Sequence, residues 1–228
     1  MRYAKEHQLN LVLPKERQFL GPEEGFTVES LQDTAWFKAK MQPQIFCLHN
    51  RWNGQNVAKL YAPFGKRPYY FTILRDPVAL FISLWDYEGL SKKFKGMTLQ
   101  EFALSPDKPE KIILPGHLNY KHPILWDFGV PVAKHDNEAF VRQKIREIDE
   151  TFDLVMMVEH WKESMVFLRQ DLCWDYSDLA SLHLNMADEE SKSKNDQKAR
   201  NRLKDWLKTS YIFYDFFKVF KILLFLKG

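Results

Sequence analysis

Cysteine is scarce in this sequence, with only Cys47 and Cys173 among 228 residues. Two cysteines so far apart make neither a disulfide framework nor a metal pattern. They read as two buried thiols or a single bridge, with thiols favoured. Glycine is sparse as well: nine residues, with those at 21, 25, 54 and 65 scattered rather than clustered. No G-x-x-x-x-G-K-[ST] phrase occurs, which argues against a nucleoside or nucleotide kinase. There is no Asn-x-Ser/Thr sequon. Met1 is followed by Arg2, Lys5, Glu6 and His7, with no apolar run of the kind that directs secretion. Charge of one sign is not in excess either. The 33 basic and 30 acidic residues leave a net charge of +3. Bulk attraction to nucleic acid or an anionic membrane is therefore not indicated, and any anion site must be local.

A hydrophobic content of 45% and a charged content of 28% are ordinary for a soluble globular chain. The length suits a single domain spanning residues 1–228. Aromatic residues reach 15%, which serves either a core or a sugar-binding surface. Residues 211–226 are rich in Phe, Ile and Leu, but Asp215, Lys218 and Lys221 interrupt them. That stretch is too short and too charged for a membrane span and predicts an amphipathic helix packed on the domain. Residues 188–204 (DEESKSKNDQKARNRLK) read as an exposed loop running into a helix.

Four short apolar runs predict strands: residues 9–13 (LNLVL), 44–48 (QIFCL), 69–74 (YYFTIL) and 152–158 (FDLVMMV). Helical patterns follow at least two of them. After residue 74, Asp76 is placed to cap a helix whose first residue is Pro77. Val78, Phe81, Ile82 and Trp85 then share one face. Residues 140–148 and 161–172 predict two further helices, the second with Met165, Leu168 and Leu172 inside. Strands alternating with helices argue for an α/β fold with a mostly parallel sheet flanked by helices. Ligands in such folds gather beyond the carboxyl ends of the strands. His49 with Arg51, Arg75, and Glu159 with His160 all fall at that edge.

The phrase LRDPVALFISLWDY carries the sharpest signal. Arg75 at a strand end can fork onto a phosphate. Ser83, two helical turns on, leans back toward the amino end and can meet the same ligand. Amides near Pro77 to Ala79 would add a field favourable to an anion. The plainer alternative is a strand-turn-helix corner in which Arg75 pairs with a neighbouring acid.

This phrase resembles the 3′-phosphate-binding motif of sulfotransferases that use the donor PAPS (3′-phosphoadenosine-5′-phosphosulfate), with Arg75 and Ser83 on its two phosphate-holding positions. IFCLHNRWN at 45–53, WDFG at 126–129, the stretch FDLVMMVEHWKESMVFLRQDLCWDYSDL at 152–179 and YDFFKVF at 214–220 resemble landmarks of the galactose-3-O-sulfotransferase family. One departure is LNMADEES at 184–191, which lacks a basic residue soon after Leu-Asn. The resemblance implies a P-loop-NTPase-like sulfotransferase fold. It also implies transfer of sulfuryl from PAPS, as co-substrate and without a metal, to the 3-hydroxyl of galactose on a glycolipid or glycan. The setting it implies is the lumenal face of the Golgi membrane.

Family members carry a strand and a Gly/Ser/Thr-rich loop with a lysine, preceded by a membrane anchor, upstream of the region matched here. The expectation is therefore a domain incomplete at its N-terminus, without its first central strand, anchored only through a segment outside these residues and inactive as it stands. The alternative is a non-catalytic family member that binds nucleotide or glycan without turnover.

Family context makes His49 the candidate general base, a role its near-neutral titration suits; a structural histidine is the competing role. Arg51 and Asn53 are candidates for orienting sugar hydroxyls. Glu159 and His160 are candidates for positioning the acceptor, or Glu159 for capping the next helix. Trp52, Trp85 and Trp126 offer either stacking platforms or core packing. His117, His122, His135 and His183 show no metal spacing.

Overall fold

The computed structural model describes residues 2–12, 27–31, 35–38, 40–47, 50–109, 112, 120–179 and 197–225. It divides into two compact units: residues 1–69 with 126–131, and residues 70–125 with 132–228.

The first unit contains helices α1 (Arg2–Glu6), α2 (Ala35–Lys38) and α3 (Gly54–Tyr61). Two of the expected strands fall here, and among the described residues they pair in parallel at a single bridge, Leu11 with Ile45. The Val12 N–H donates to the Ile45 carbonyl at 2.9 Å, and the Asn10 side chain donates to the Gln42 carbonyl at 3.1 Å. Pro43, which has no N–H, stands next to this short pairing. Leu13 and Leu48, the ends of the two expected strands, lie outside the described residues.

The second unit is built on strands β1 (Phe71–Leu74) and β2 (Leu154–Met157), paired in parallel with Phe71 opposite Leu154 and Leu74 opposite Met157. The Tyr70 N–H donates to the Asp153 carboxylate at 2.7 Å, which aligns the strands at their start. Every residue of β2 is buried, whereas β1 leaves Phe71 and Ile73 partly exposed. A small parallel sheet flanked by helices matches the α/β expectation. Among the described residues the sheet has two strands, not four.

The helices of this unit, in chain order, are α4 (Pro77–Tyr87), α5 (Leu90–Lys93), α6 (Leu99–Leu104), α7 (Pro123–Asp127), α8 (Glu138–Thr151), α9 (Trp161–Leu172), α10 (Gln197–Trp206) and α11 (Lys208–Phe225). α7 begins in this unit and ends in the other. α4 starts where the sequence placed it, with Asp76 as cap and Pro77 first. Its buried face, Val78, Phe81 and Trp85, joins Phe102, Leu203 and Leu207 in the core. Trp85 stacks on Phe94 with ring centres 5.6 Å apart, and Phe81 meets Trp206 edge-on at 5.3 Å. Each such ring contributes about 1.5–3 kcal/mol through burial. Trp85 is thus a core residue, not a sugar platform. α8 buries Val141, Ile145 and Ile148 at helical spacing and is capped by Asn137. α11 lies against α8 and α4 and buries Phe213, Tyr214 and Phe217. Among the described residues no helix is long and apolar enough to cross a membrane.

Candidate functional site

The carboxyl ends of β1 and β2 meet in one hydrogen-bonded corner. Asp76, one residue past Arg75, accepts from the Ala79 N–H at 2.9 Å through Oδ1. Its Oδ2 accepts from the Tyr211 hydroxyl at 2.8 Å. Its own backbone N–H donates to Glu159 Oε1 at 2.7 Å, and Glu159 Oε2 accepts from the Tyr214 hydroxyl at 3.1 Å. Two strand ends and one face of α11 are thereby tied together.

Arg75, at the end of β1, and Ser83, two turns into α4, are both half-buried. Neither side chain makes a hydrogen bond or ion pair with another described group. Asp76, the acid next to Arg75 in the chain, is held by other donors. The helix start contributes less to an anion site than the sequence suggested. Pro77 has no amide N–H, and the Ala79 amide is taken by Asp76. A ligand at this corner would be gripped by side chains.

Glu159 does not cap the helix that follows it; it reaches across to the start of α4. The cap position of α9 is held by His160, which makes no side-chain capping bond there. Ser164 instead anchors α9, its Oγ 3.1 Å from the Met157 N–H. The sequence did not single out Tyr211 or Tyr214 as site residues. Their only signal was an i, i+3 tyrosine pair on the last helix, one member of which opens YDFFKVF. Burial, followed by the adjacent carboxylates, pushes both phenols well above their ordinary pKa. They remain hydrogen-bond donors at any physiological pH.

In the first unit, Arg51 lies over the Trp126 ring at 3.8 Å. It donates through Nε to the Trp126 carbonyl and through Nη2 to the Val130 carbonyl, both at 3.1 Å. Asn53 caps α3 by accepting from the Asn56 N–H at 3.1 Å. These contacts give the NRWN and WDFG landmarks a shared structural reason. Gly129 has φ +76°, and a Cβ there would stand 2.5 Å from the Trp52 carbonyl oxygen. His49 lies outside the described residues, as do His117 and His183.

A second polar cluster sits in the core of the other unit. His122 is fully buried, with Nδ1 2.8 Å from Ser210 Oγ and Nε2 3.5 Å from Asp136 Oδ1. Lys121 donates to Asp136 at 3.0 Å. The Ser–His–Asp order resembles a nucleophilic triad, but Ser210 is only 1% exposed and offers no approach to a substrate. Burial, then the Lys121 charge, lowers the His122 pKa to about 3. No group of three His, Cys, Asp or Glu side chains is arranged to hold a metal among the described residues. Both cysteines are free thiols, and both are exposed rather than buried.

The model of the galactose-3-O-sulfotransferase family matches residues 1–221. Galactose-3-O-sulfotransferase 2 of Mus musculus is 29% identical over 225 residues, covering 95% of this chain and 55% of the relative. Galactose-3-O-sulfotransferase 3 of Mus musculus is 30% identical over 196 residues, covering 81% and 43%. Galactosylceramide sulfotransferase of Mus musculus is 28% identical over 195 residues, with the same coverage. The chain thus spans about half the length of the curated relatives it matches. No solved structure gives a significant match. With a family match that runs through the Arg75 corner, the Arg51 contacts and the helix carrying both tyrosines, the chain belongs to the galactose-3-O-sulfotransferase family.

Proposed function

We propose that this protein is a carbohydrate sulfotransferase that moves a sulfuryl group from PAPS to the 3-hydroxyl of a terminal galactose on a glycolipid or glycan. The observation that carries the proposal is the state of Arg75 and Ser83. Arg75 is half-buried at the end of β1 and Ser83 is half-buried two turns into α4, and neither side chain is engaged by another described group. An arginine and a hydroxyl so placed fit a phosphate, the arginine by a two-pronged grip and the serine by one further hydrogen bond.

PAPS, when bound, supplies the sulfuryl group. In this proposal Arg75 and Ser83 hold its 3′-phosphate, and His49 takes the proton from the attacking galactose hydroxyl. His160 is assigned to the acceptor side. Glu159 holds the corner, and Arg51 and Asn53 act by shaping the segment around residues 50–53. The work is placed at the lumenal face of the Golgi membrane, where glycan acceptors are exposed.

Arg75→Ala in the full-length protein should weaken binding of 3′-phosphoadenosine 5′-phosphate by about 1.5–3 kcal/mol, the usual range for hydrogen bonds to charged groups. Titration calorimetry measures this directly, and an unchanged affinity would sink the assignment. His49→Ala should abolish sulfate transfer to a galactose-terminated acceptor while nucleotide affinity persists, since a base acts only in the chemical step. Nucleotide binding without turnover in the wild-type full-length protein would instead favour a non-catalytic family member.

A further inference from the structure

We propose that Tyr211 and Tyr214 are positioning residues that hold the Asp76 and Glu159 carboxylates away from Arg75, leaving its guanidinium available to a phosphate. The inference rests on the donor-site reading above and adds the device that makes it workable.

An aspartate immediately after a phosphate-binding arginine is a hazard. It can pair with the arginine itself, and it repels the incoming phosphate. Here each of the four carboxylate oxygens at the corner has another donor. Asp76 Oδ1 takes the Ala79 N–H and Oδ2 the Tyr211 hydroxyl, at 2.9 and 2.8 Å. Glu159 Oε1 takes the Asp76 N–H and Oε2 the Tyr214 hydroxyl, at 2.7 and 3.1 Å. Arg75 bonds to none of them. The two tyrosines sit one turn apart on α11 with ring centres 6.2 Å apart, so one helix face serves both carboxylates. Lys204 lies 5.0 Å from the Tyr211 ring and Lys218 lies 5.6 Å from the Tyr214 ring, which moderates the negative charge gathered there. Burial keeps both phenols protonated and able to donate.

Removing the Tyr211 hydroxyl leaves Asp76 Oδ2 without its donor and lets it turn to Arg75. Tyr211→Phe in the full-length protein is expected to weaken 3′-phosphoadenosine 5′-phosphate binding by about three- to tenfold, the scale of one charge-assisted hydrogen bond contested at a half-exposed site. The KM for PAPS should rise in step while kcat holds. Adding Asp76→Asn should restore the affinity, because asparagine still caps α4 but makes no ion pair with arginine. Asp76→Asn alone, with the tyrosine present, should bind at least as tightly as wild type.

Loss of affinity in Tyr211→Phe that Asp76→Asn does not restore would mean that the hydroxyl acts through packing, and would overturn the inference. So would wild-type affinity in Tyr211→Phe while Arg75→Ala weakens binding; the donor site itself would then stand. Wild-type affinity in Arg75→Ala would remove both.

Discussion

Arg51 and Arg75 each follow an apolar run, and each looks in the sequence like a candidate ligand for an anion or a sugar. Their situations differ. Arg51 is committed to its own unit: its plane rests on Trp126, and two of its donors are used by the Trp126 and Val130 carbonyls. Arg75 makes no such bond, because the acids beside it are occupied by Ala79, Tyr211 and Tyr214. An arginine becomes available for a ligand less by its own position than by what satisfies its neighbours. Residue type and strand-end placement do not distinguish the two cases.

The contrast can be broken from the Arg51 side first. Gly129→Ala should cost about 3–5 kcal/mol, since it combines a left-handed backbone with a Cβ against the Trp52 carbonyl oxygen. Urea unfolding followed by tryptophan fluorescence measures it, and a loss under about 1 kcal/mol would mean that the Trp52 segment yields easily. Arg51→Ala should cost about 2–3 kcal/mol, from two hydrogen bonds and one ring contact. Nucleotide affinity measured by calorimetry should survive this change in the folded protein. Arg75→Ala should do the reverse, with stability within about 0.5 kcal/mol of wild type. A large stability loss there would expose a structural role for Arg75.

The smallest effect sharpens the comparison through pH. Folded His122 is held neutral, its pKa lowered to about 3. The unfolded chain takes up a proton near the ordinary value of about 6.5. Stability contributed by this site is therefore complete above about 6.5 and falls as pH drops toward 3. Urea midpoints should decline between about pH 7 and pH 4.5, and less steeply in His122→Asn. Equal slopes in the two proteins would show that His122 is not the group responsible.

What could be read from the sequence was local. The Asp76–Pro77 start of α4, its buried face at Val78, Phe81 and Trp85, and the β1–α4 and β2–α9 order all depend on spacing within a few residues. The remainder depends on partners far along the chain. Tyr211 reaches Asp76 across 135 positions, and no periodicity in either segment announces the pairing. The expected strands at 9–13 and 44–48 had the apolar character of strands, but pairing is a property of two segments together, and among the described residues theirs amounts to one bridge. Two of the three candidate tryptophan platforms, Trp85 and Trp126, are covered by packing partners that composition alone does not reveal.

The most direct test of the central claim watches both arginines at once. Side-chain ¹⁵Nε resonances of Arg51 and Arg75 should be assigned in the full-length protein and followed during titration with 3′-phosphoadenosine 5′-phosphate. The Arg75 signal should shift and sharpen as phosphate binds, with Arg51 unmoved. A shift confined to Arg51, or an Arg75 signal already paired with a carboxylate before nucleotide is added, would contradict the account.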